Sequence, residues 1–159
     1  MRDWAEYEDG FGDLESNMWL GLRYLNRLTA SANMELHVYL EDFDNVHAYA
    51  AYNTFDISDR SDEYRLTVGG YSGNAGDSLF IHTGNRFTTY DNDNYMSASG
   101  NCAQRYSGAW WYQNCHSSNL NGLCLNGHHS SYANGVNWAS LEGYHYSLKT
   151  TILKIRPYI

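Results

Sequence analysis

Between residues 15 and 28 the apolar positions Met18, Leu22, Leu25 and Leu28 fall at helical spacing, with Glu15 and Asn17 as polar start signals, which predicts one amphipathic helix. The period then changes. Leu36, Val38 and Leu40 alternate with His37, Tyr39 and Glu41, the two-residue repeat of a half-buried strand, and Asp42 to Asn45 reads as the turn of a hairpin. Two further strands are predicted over 49–57 and 63–68, separated by the polar stretch 58–62. From Gly69 to Gly143 periodicity fades into Gly, Asn, Ser, Asp and aromatic residues, a texture of loops and short pieces. Strand character returns over 146–155, with Tyr146, Leu148, Thr150 and Ile152 on one face and Pro157 as the stop. The chain thus divides into a sheet-and-helix part (1–80), a loop-rich part (81–145) and a C-terminal strand (146–158).

Composition narrows the classes. A chain of 159 residues, 43% hydrophobic and with one proline, suits a single globular domain with a real core. Its apolar runs are far shorter than the roughly 20 residues a bilayer-spanning helix needs, so membrane insertion is not expected. The net charge is -8 and no lysine or arginine cluster interrupts it, which sets nucleic acid aside. Fifteen tyrosines and five tryptophans suit neutral polar ligands such as sugars, and equally protein contacts. Within the loop-rich part, Trp110, Trp111, Tyr112 and Trp138 are large enough that burial is expected of them rather than disorder.

Three cysteines, Cys102, Cys115 and Cys124, show neither Cys-x-x-Cys pairs nor zinc spacing. A Cys102–Cys115 cross-link closes a loop of roughly 14 residues and contributes about 3 kcal/mol in the chain-entropy picture. Three reduced thiols in a cytosolic protein are the alternative, and spacing alone leaves both open. The N-terminal Met1-Arg2-Asp3-Trp4-Ala5-Glu6 carries acids where a signal peptide needs an apolar run. The chain is then either intracellular or, as the motifs below favour, a piece of a longer protein.

Several strings are more specific than their composition: GGYSGNAGDSL at 69–79, GNCAQRYSGAWWYQNCHSSNLNG at 100–122 and YSLKTTILKIRP at 146–157, preceded in order by Arg2-Asp3-Trp4, Gly10-Phe11-Gly12 and Trp19-Leu20-Gly21. Together they resemble the fibrinogen-like C-terminal domain, in particular the acetyl-recognising lectins of the ficolin type, over nearly the whole chain. The resemblance implies an α+β fold, a twisted, mainly antiparallel sheet with a short helix followed by a loop-rich ligand-binding half. It implies a Cys102–Cys115 disulfide, secretion, and an N-terminal subdomain ahead of Arg2 that this chain lacks. Cys124 has no family partner and is expected as a free, buried, small hydrophobe.

The family pattern also implies a calcium site. Calcium takes six to eight oxygens, and Asp91 and Asp93 offer carboxylates two residues apart. Tyr95 stands where the family's third aspartate belongs, and the gap to Cys102 is one residue longer than usual, so carbonyls around Ser97 and Ala98 are the expected replacements. A solvated Asn/Asp turn without metal is the alternative.

Carried over position by position, Tyr106, His116, Tyr132 and Ala133 match the walls of the family's acetyl pocket, with the Asn114-Cys115 peptide expected in the cis form. An acetamide needs a small apolar slot for its methyl and polar partners for its amide. Tyr132 and Ala133 are expected to form the slot, Tyr106 to offer its hydroxyl, and His116 to orient the rest. The neighbouring His128 and His129 read as an exposed polar loop.

The function this implies is non-catalytic recognition of acetylated carbohydrates, such as N-acetylglucosamine glycans or chitin, in defence or cell-surface recognition, with several copies needed for avidity. The alternative is a protein-interaction module that binds a cell-surface receptor or a peptide through the same face. Gly76-Asp77-Ser78-Leu79 copies the nucleophile string of a lipase and esterase family, but the chain's Asp-x-x-His, Asp44 to His47, precedes that serine instead of following it, and four letters are a weak match. The chain is read as no enzyme.

Overall fold

A computed structural model describes all residues except Met96, Ser97 and Ser99. In chain order the elements are α1 (Trp4–Asp9), β1 (Phe11–Gly12), β2 (Met18–Trp19), α2 (Leu22–Ser31), β3 (Met34–Glu41), β4 (His47–Ile57), a 3-10 turn (Arg60–Asp62), β5 (Leu66–Gly73), α3 (Cys102–Tyr106), β6 (Ser118–Asn119), β7 (Gly127–His128), β8 (Asn137–Trp138), α4 (Ala139–Glu142), β9 (Tyr146–Ser147) and β10 (Thr150–Pro157). The fold is α+β, as expected, with an antiparallel main sheet in the order β10-β3-β4-β5.

The alternation in 34–41 becomes β3, whose Leu36, Val38 and Leu40 are buried. Its hairpin with β4 closes where Asp42 Oδ1 accepts the N–H of Asp44 at 2.8 Å and of Val46 at 2.9 Å, with Asn45 left-handed at φ 62°. Ala50, Tyr52, Phe55 and Ile57 of β4 and Leu66 and Val68 of β5 continue the buried face, and α2 closes over it through Leu22 and Leu25. At roughly 25 cal/mol per Å² of apolar area removed from water, this face is the main source of stability in the first half.

Three expected boundaries move. The helix starts at Leu22 rather than near residue 15, because Met18 and Trp19 pair with Gly12 and Phe11 instead. Trp19 is held there by its indole N–H, which donates to the Tyr7 carbonyl at 2.9 Å, and Gly21 turns the chain at φ 111° with Asp9 too close for a side chain. A helix absent from the expectation, α1, precedes it. Asp3 and Glu6 cap it reciprocally, a signature that the sequence carried.

Glu63 and Tyr64 are left-handed, φ 53° and 54°, so β5 begins at Leu66 and extends through Gly69 and Gly70 into the segment expected as loop. Tyr64 is buried instead, its hydroxyl donating to Glu8 at 2.5 Å. The C-terminal strand is two strands. Tyr146–Ser147 pairs with Gly127–His128, and after Lys149 the chain pairs with β3 as an edge strand, so Ile152 lies opposite Tyr39 and is 42% exposed. Pro157 is the last paired residue, opposite Met34. An edge is the place where a proline's missing N–H costs nothing.

The loop-rich half is ordered by its aromatics. Trp110, Trp111, Tyr112 and Trp138 are all buried, as expected. Each indole finds an acceptor: Trp110 on Ser118 Oγ at 3.2 Å, Trp111 on the Tyr64 carbonyl at 2.8 Å, and Trp138 on the Gly76 carbonyl at 3.1 Å. One buried cluster runs from the sheet into this half.

Candidate ligand pocket

Three stretches distant in sequence build one cavity. Helix α3 starts at Asn101, whose side chain accepts the N–H of Ala103 at 2.8 Å, and it ends on Tyr106 with Ser107 left-handed at φ 55°. The Cys102–Cys115 disulfide is formed, Cα–Cα 5.5 Å, and ties the start of α3 to the second stretch, Asn114 to His116. The Asn114–Cys115 peptide is cis, as the resemblance implied. The third stretch is the turn at Tyr132 and Ala133, where Ala133 is left-handed at φ 62° and donates its N–H to the Tyr144 carbonyl at 3.0 Å.

Tyr106, Asn114, Cys115, His116, Tyr132 and Ala133 all line a cavity of about 180 Å³. That is below the roughly 300–1,000 Å³ of sites enclosing a whole drug-sized ligand, so the cavity suits one group of a larger molecule. Tyr132 is 58% exposed and forms the outer wall, while Ala133 is buried at the inner end. The Tyr106 ring meets His116 edge-on at 5.1 Å and Tyr132 at 6.3 Å.

Tyr144 completes the lining and was missed from the sequence. Its hydroxyl donates to the His116 carbonyl at 3.2 Å and its ring lies 5.4 Å from Tyr132. Burial raises its pKa, and Tyr132 and Tyr106 add to the rise. No local signal separates it from the other fourteen tyrosines.

His116 carries the polar chemistry. Nε2 lies 2.7 Å from the Ala133 carbonyl, which accepts only, so Nε2 holds the proton and Nδ1 is a bare acceptor. Nδ1 is buried with no partner among the described residues. Burial pushes the imidazole pKa down to about 4 against the partial opposition of the Ala133 carbonyl, which keeps the ring neutral near pH 7.

The expected calcium ligands are placed differently. Asp91 Oδ1 accepts the Trp4 N–H at 2.9 Å and the Thr89 hydroxyl at 2.7 Å, so this carboxylate ties α1 to the loop half. Asp93 is exposed and accepts the Tyr95 N–H at 3.1 Å, an Asx turn. Ala98 is exposed, and Ser97 lies outside the described residues. Among the described residues no three His, Cys, Asp or Glu side chains converge. What is described is a partial oxygen set, short of the six to eight oxygens that calcium takes.

Two further expectations need correction. Cys124 is exposed rather than buried, because it follows the exposed Leu123 on a surface segment. His128 is exposed as expected, but His129 is half-buried, with Nδ1 2.8 Å from the Ser131 carbonyl. Ser78 of the Gly-Asp-Ser-Leu string is buried, and its hydroxyl pairs with Ser140 Oγ at 2.7 Å and accepts the Ser140 N–H at 3.0 Å. His47, in β4, instead stacks on Tyr39.

Residues 1–158 match the family described as the C-terminal globular domain of fibrinogen beta and gamma chains. Fibrinogen C domain-containing protein 1-B of Xenopus laevis is 54% identical over 162 residues, and so is Fibrinogen C domain-containing protein 1 of Homo sapiens; each alignment covers 99% of this chain and 35% of the relative. The chain therefore spans about a third of the length of these relatives. Among solved structures, the fibrinogen-like globe domain of human ANGPTL2 superimposes with a TM-score of 0.96 at 42% identity, covering 99% of this chain and 74% of that one. The lamprey fibrin D-dimer, complexed with the peptide Gly-His-Arg-Pro-amide, does so at 0.93 and 33% identity, covering 99% and 56%. By sequence and by structure, the chain belongs to the fibrinogen C-terminal domain family.

Proposed function

We propose that this chain is a non-catalytic recognition module whose cavity takes the acetamide of an N-acetylated sugar, as in N-acetylglucosamine glycans or chitin. The observation that carries the reading is the convergence of Tyr106, Asn114, Cys115, His116, Tyr132 and Ala133 on one small cavity. The acetyl methyl packs between Tyr132 and Ala133. The Tyr106 hydroxyl meets the amide, and a ligand donor reaching His116 Nδ1 satisfies a buried acceptor that has no partner among the described residues. Neutral partners of this kind suit an uncharged sugar on a chain of net charge -8.

The disulfide supports an extracellular setting, where such bonds persist. A single cavity of this size binds weakly, so the proposal includes assembly of several copies. Calcium enters only as a weakly held support of the Asp91–Asp93 loop, and the acetamide contacts do not pass through it.

A second reading has its own support: the lamprey fibrin relative was solved with a peptide bound, and the ANGPTL2 and ANGPTL6 globes are close in fold. In that reading the same loop face binds a peptide or a cell-surface protein. Adsorption to N-acetylated beads, competed by free N-acetylglucosamine, separates the two. The sugar reading requires millimolar competition and its loss in Tyr132→Ala; beads that hold the protein despite excess free sugar, or an unaffected Tyr132→Ala, favour the protein partner.

A further inference from the structure

A cavity of about 180 Å³ takes one group of a larger molecule, so the remainder of that molecule lies over the rim. On one side the rim is a row of rings. Tyr132, 58% exposed, has its ring centre 5.4 Å from that of Tyr144, which lines the cavity, and 5.7 Å from that of His145. His145 is exposed, and the row ends on His129, 6.1 Å further on. On the other side Tyr106 is half-buried and already has the Arg105 guanidinium 5.4 Å from its ring centre.

His145 is held in this row by two bonds to one residue. Its backbone carbonyl accepts the His129 N–H at 2.9 Å, and its ring Nδ1 lies 3.2 Å from the His129 carbonyl. That carbonyl accepts only, so in the neutral ring Nδ1 carries the proton and Nε2 is an acceptor, with no hydrogen bond to a described residue. The Tyr144 carbonyl accepts the Ala133 N–H at 3.0 Å. The 144–145 segment is thus tied to both neighbouring stretches, and little side-chain freedom remains to be lost when a ligand settles on it.

We propose that Tyr132 and His145 form a second subsite, which holds the next sugar of a β-linked N-acetylglucosamine chain while the cavity holds the acetamide of the first. The proposal rests on the acetamide reading and extends it from a terminal group to an oligosaccharide. A sugar ring offers a face of C–H groups and an edge of hydroxyls. The exposed Tyr132 ring takes the face, and His145 Nε2 accepts from a hydroxyl on the edge.

Calorimetry with N-acetylglucosamine and with its β-1,4-linked dimer, N,N′-diacetylchitobiose, tests this on the parent chain and on His145→Ala. The parent should bind the dimer about tenfold more tightly than the monosaccharide, well beyond the roughly twofold statistical gain of carrying two acetamides. His145→Ala should reduce that advantage to about twofold and leave the monosaccharide affinity unchanged, which also reports that the cavity is intact. A parent chain that binds both sugars within about twofold of each other overturns the second subsite and leaves the acetamide reading standing. A dimer advantage that survives His145→Ala overturns it as well, since the second sugar then lies elsewhere. Equal weakening of both sugars by His145→Ala does the same, by making His145 a support of the cavity. If neither sugar binds the parent chain, the acetamide reading falls and the subsite with it.

Discussion

His116 and Ala133 are joined by a 2.7 Å hydrogen bond from the imidazole Nε2 to the backbone carbonyl, which leaves Nδ1 as an acceptor beside the cavity with no partner among the described residues. One bond thus sets the tautomer and anchors the turn that carries Tyr132. Replacing His116 with Phe keeps the ring volume but removes both nitrogens and leaves the Ala133 carbonyl unsatisfied. A loss of about 1–3 kcal/mol in stability is expected, read by denaturant unfolding, together with loss of N-acetylglucosamine binding by calorimetry. Unchanged binding in His116→Phe removes His116 from the recognition chemistry.

Stability should fall on mild acidification. Burial lowers the pKa of both His82 and His116 from 6.5 to about 4. In each the fold favours the neutral ring, so as pH falls the unfolded chain takes up the proton first. The stabilisation is complete above 6.5 and is lost between 6.5 and about 4, at up to roughly 1.4 kcal/mol per pH unit for each ring. His82 adds a structural reason, since its Nε2 accepts the Ser117 N–H at 3.1 Å and has no lone pair left once protonated. A thermal midpoint that stays level from neutrality to about pH 5 contradicts this account.

Cys124 is exposed and outside the disulfide, whereas Cys102 and Cys115 are bonded to each other. A thiol reagent such as dithionitrobenzoate is expected to titrate one thiol per native chain without denaturant. Non-reducing electrophoresis of aged protein should show a covalent dimer that Cys124→Ser abolishes. A native chain that reacts only after unfolding shows the thiol to be covered.

Calcium is expected to bind weakly, in the 10⁻⁴ to 10⁻³ M range typical of extracellular modules, because Tyr95 replaces a carboxylate and Asp91 already accepts two hydrogen bonds. Isothermal calorimetry should detect heat only near millimolar metal, and Asp93→Asn should remove it. Absence of heat at that concentration ends the calcium proposal.

Legibility in the sequence followed how local the cause was. Leu36, Val38 and Leu40 announced their strand because a two-residue period places every second side chain on one face whatever the strand later packs against. Tyr106, Asn114, Cys115 and His116, which line the cavity, were legible because they fall within one motif string at 100–122, and Tyr132 and Ala133 because the family resemblance carried them over. Met18 failed the same kind of reading. Its helical spacing to Leu22 was genuine, but the Trp19 bond to Tyr7 and the positive φ of Gly21 took it into a strand pair.

Class and charge were therefore set by residue types and their spacing along the chain, and the pocket residues were legible only through the family resemblance. The assembly was set by contacts between residues far apart in number. Tyr144 reaches the cavity because Ala133 N–H bonds its carbonyl, Cys124 stays outside because it lies on an exposed stretch beside Leu123, and Asp91 meets Trp4 across 87 positions. Periodicity reports which face of an element is apolar; which distant side chain fills the space above that face is decided only when the chain closes on itself.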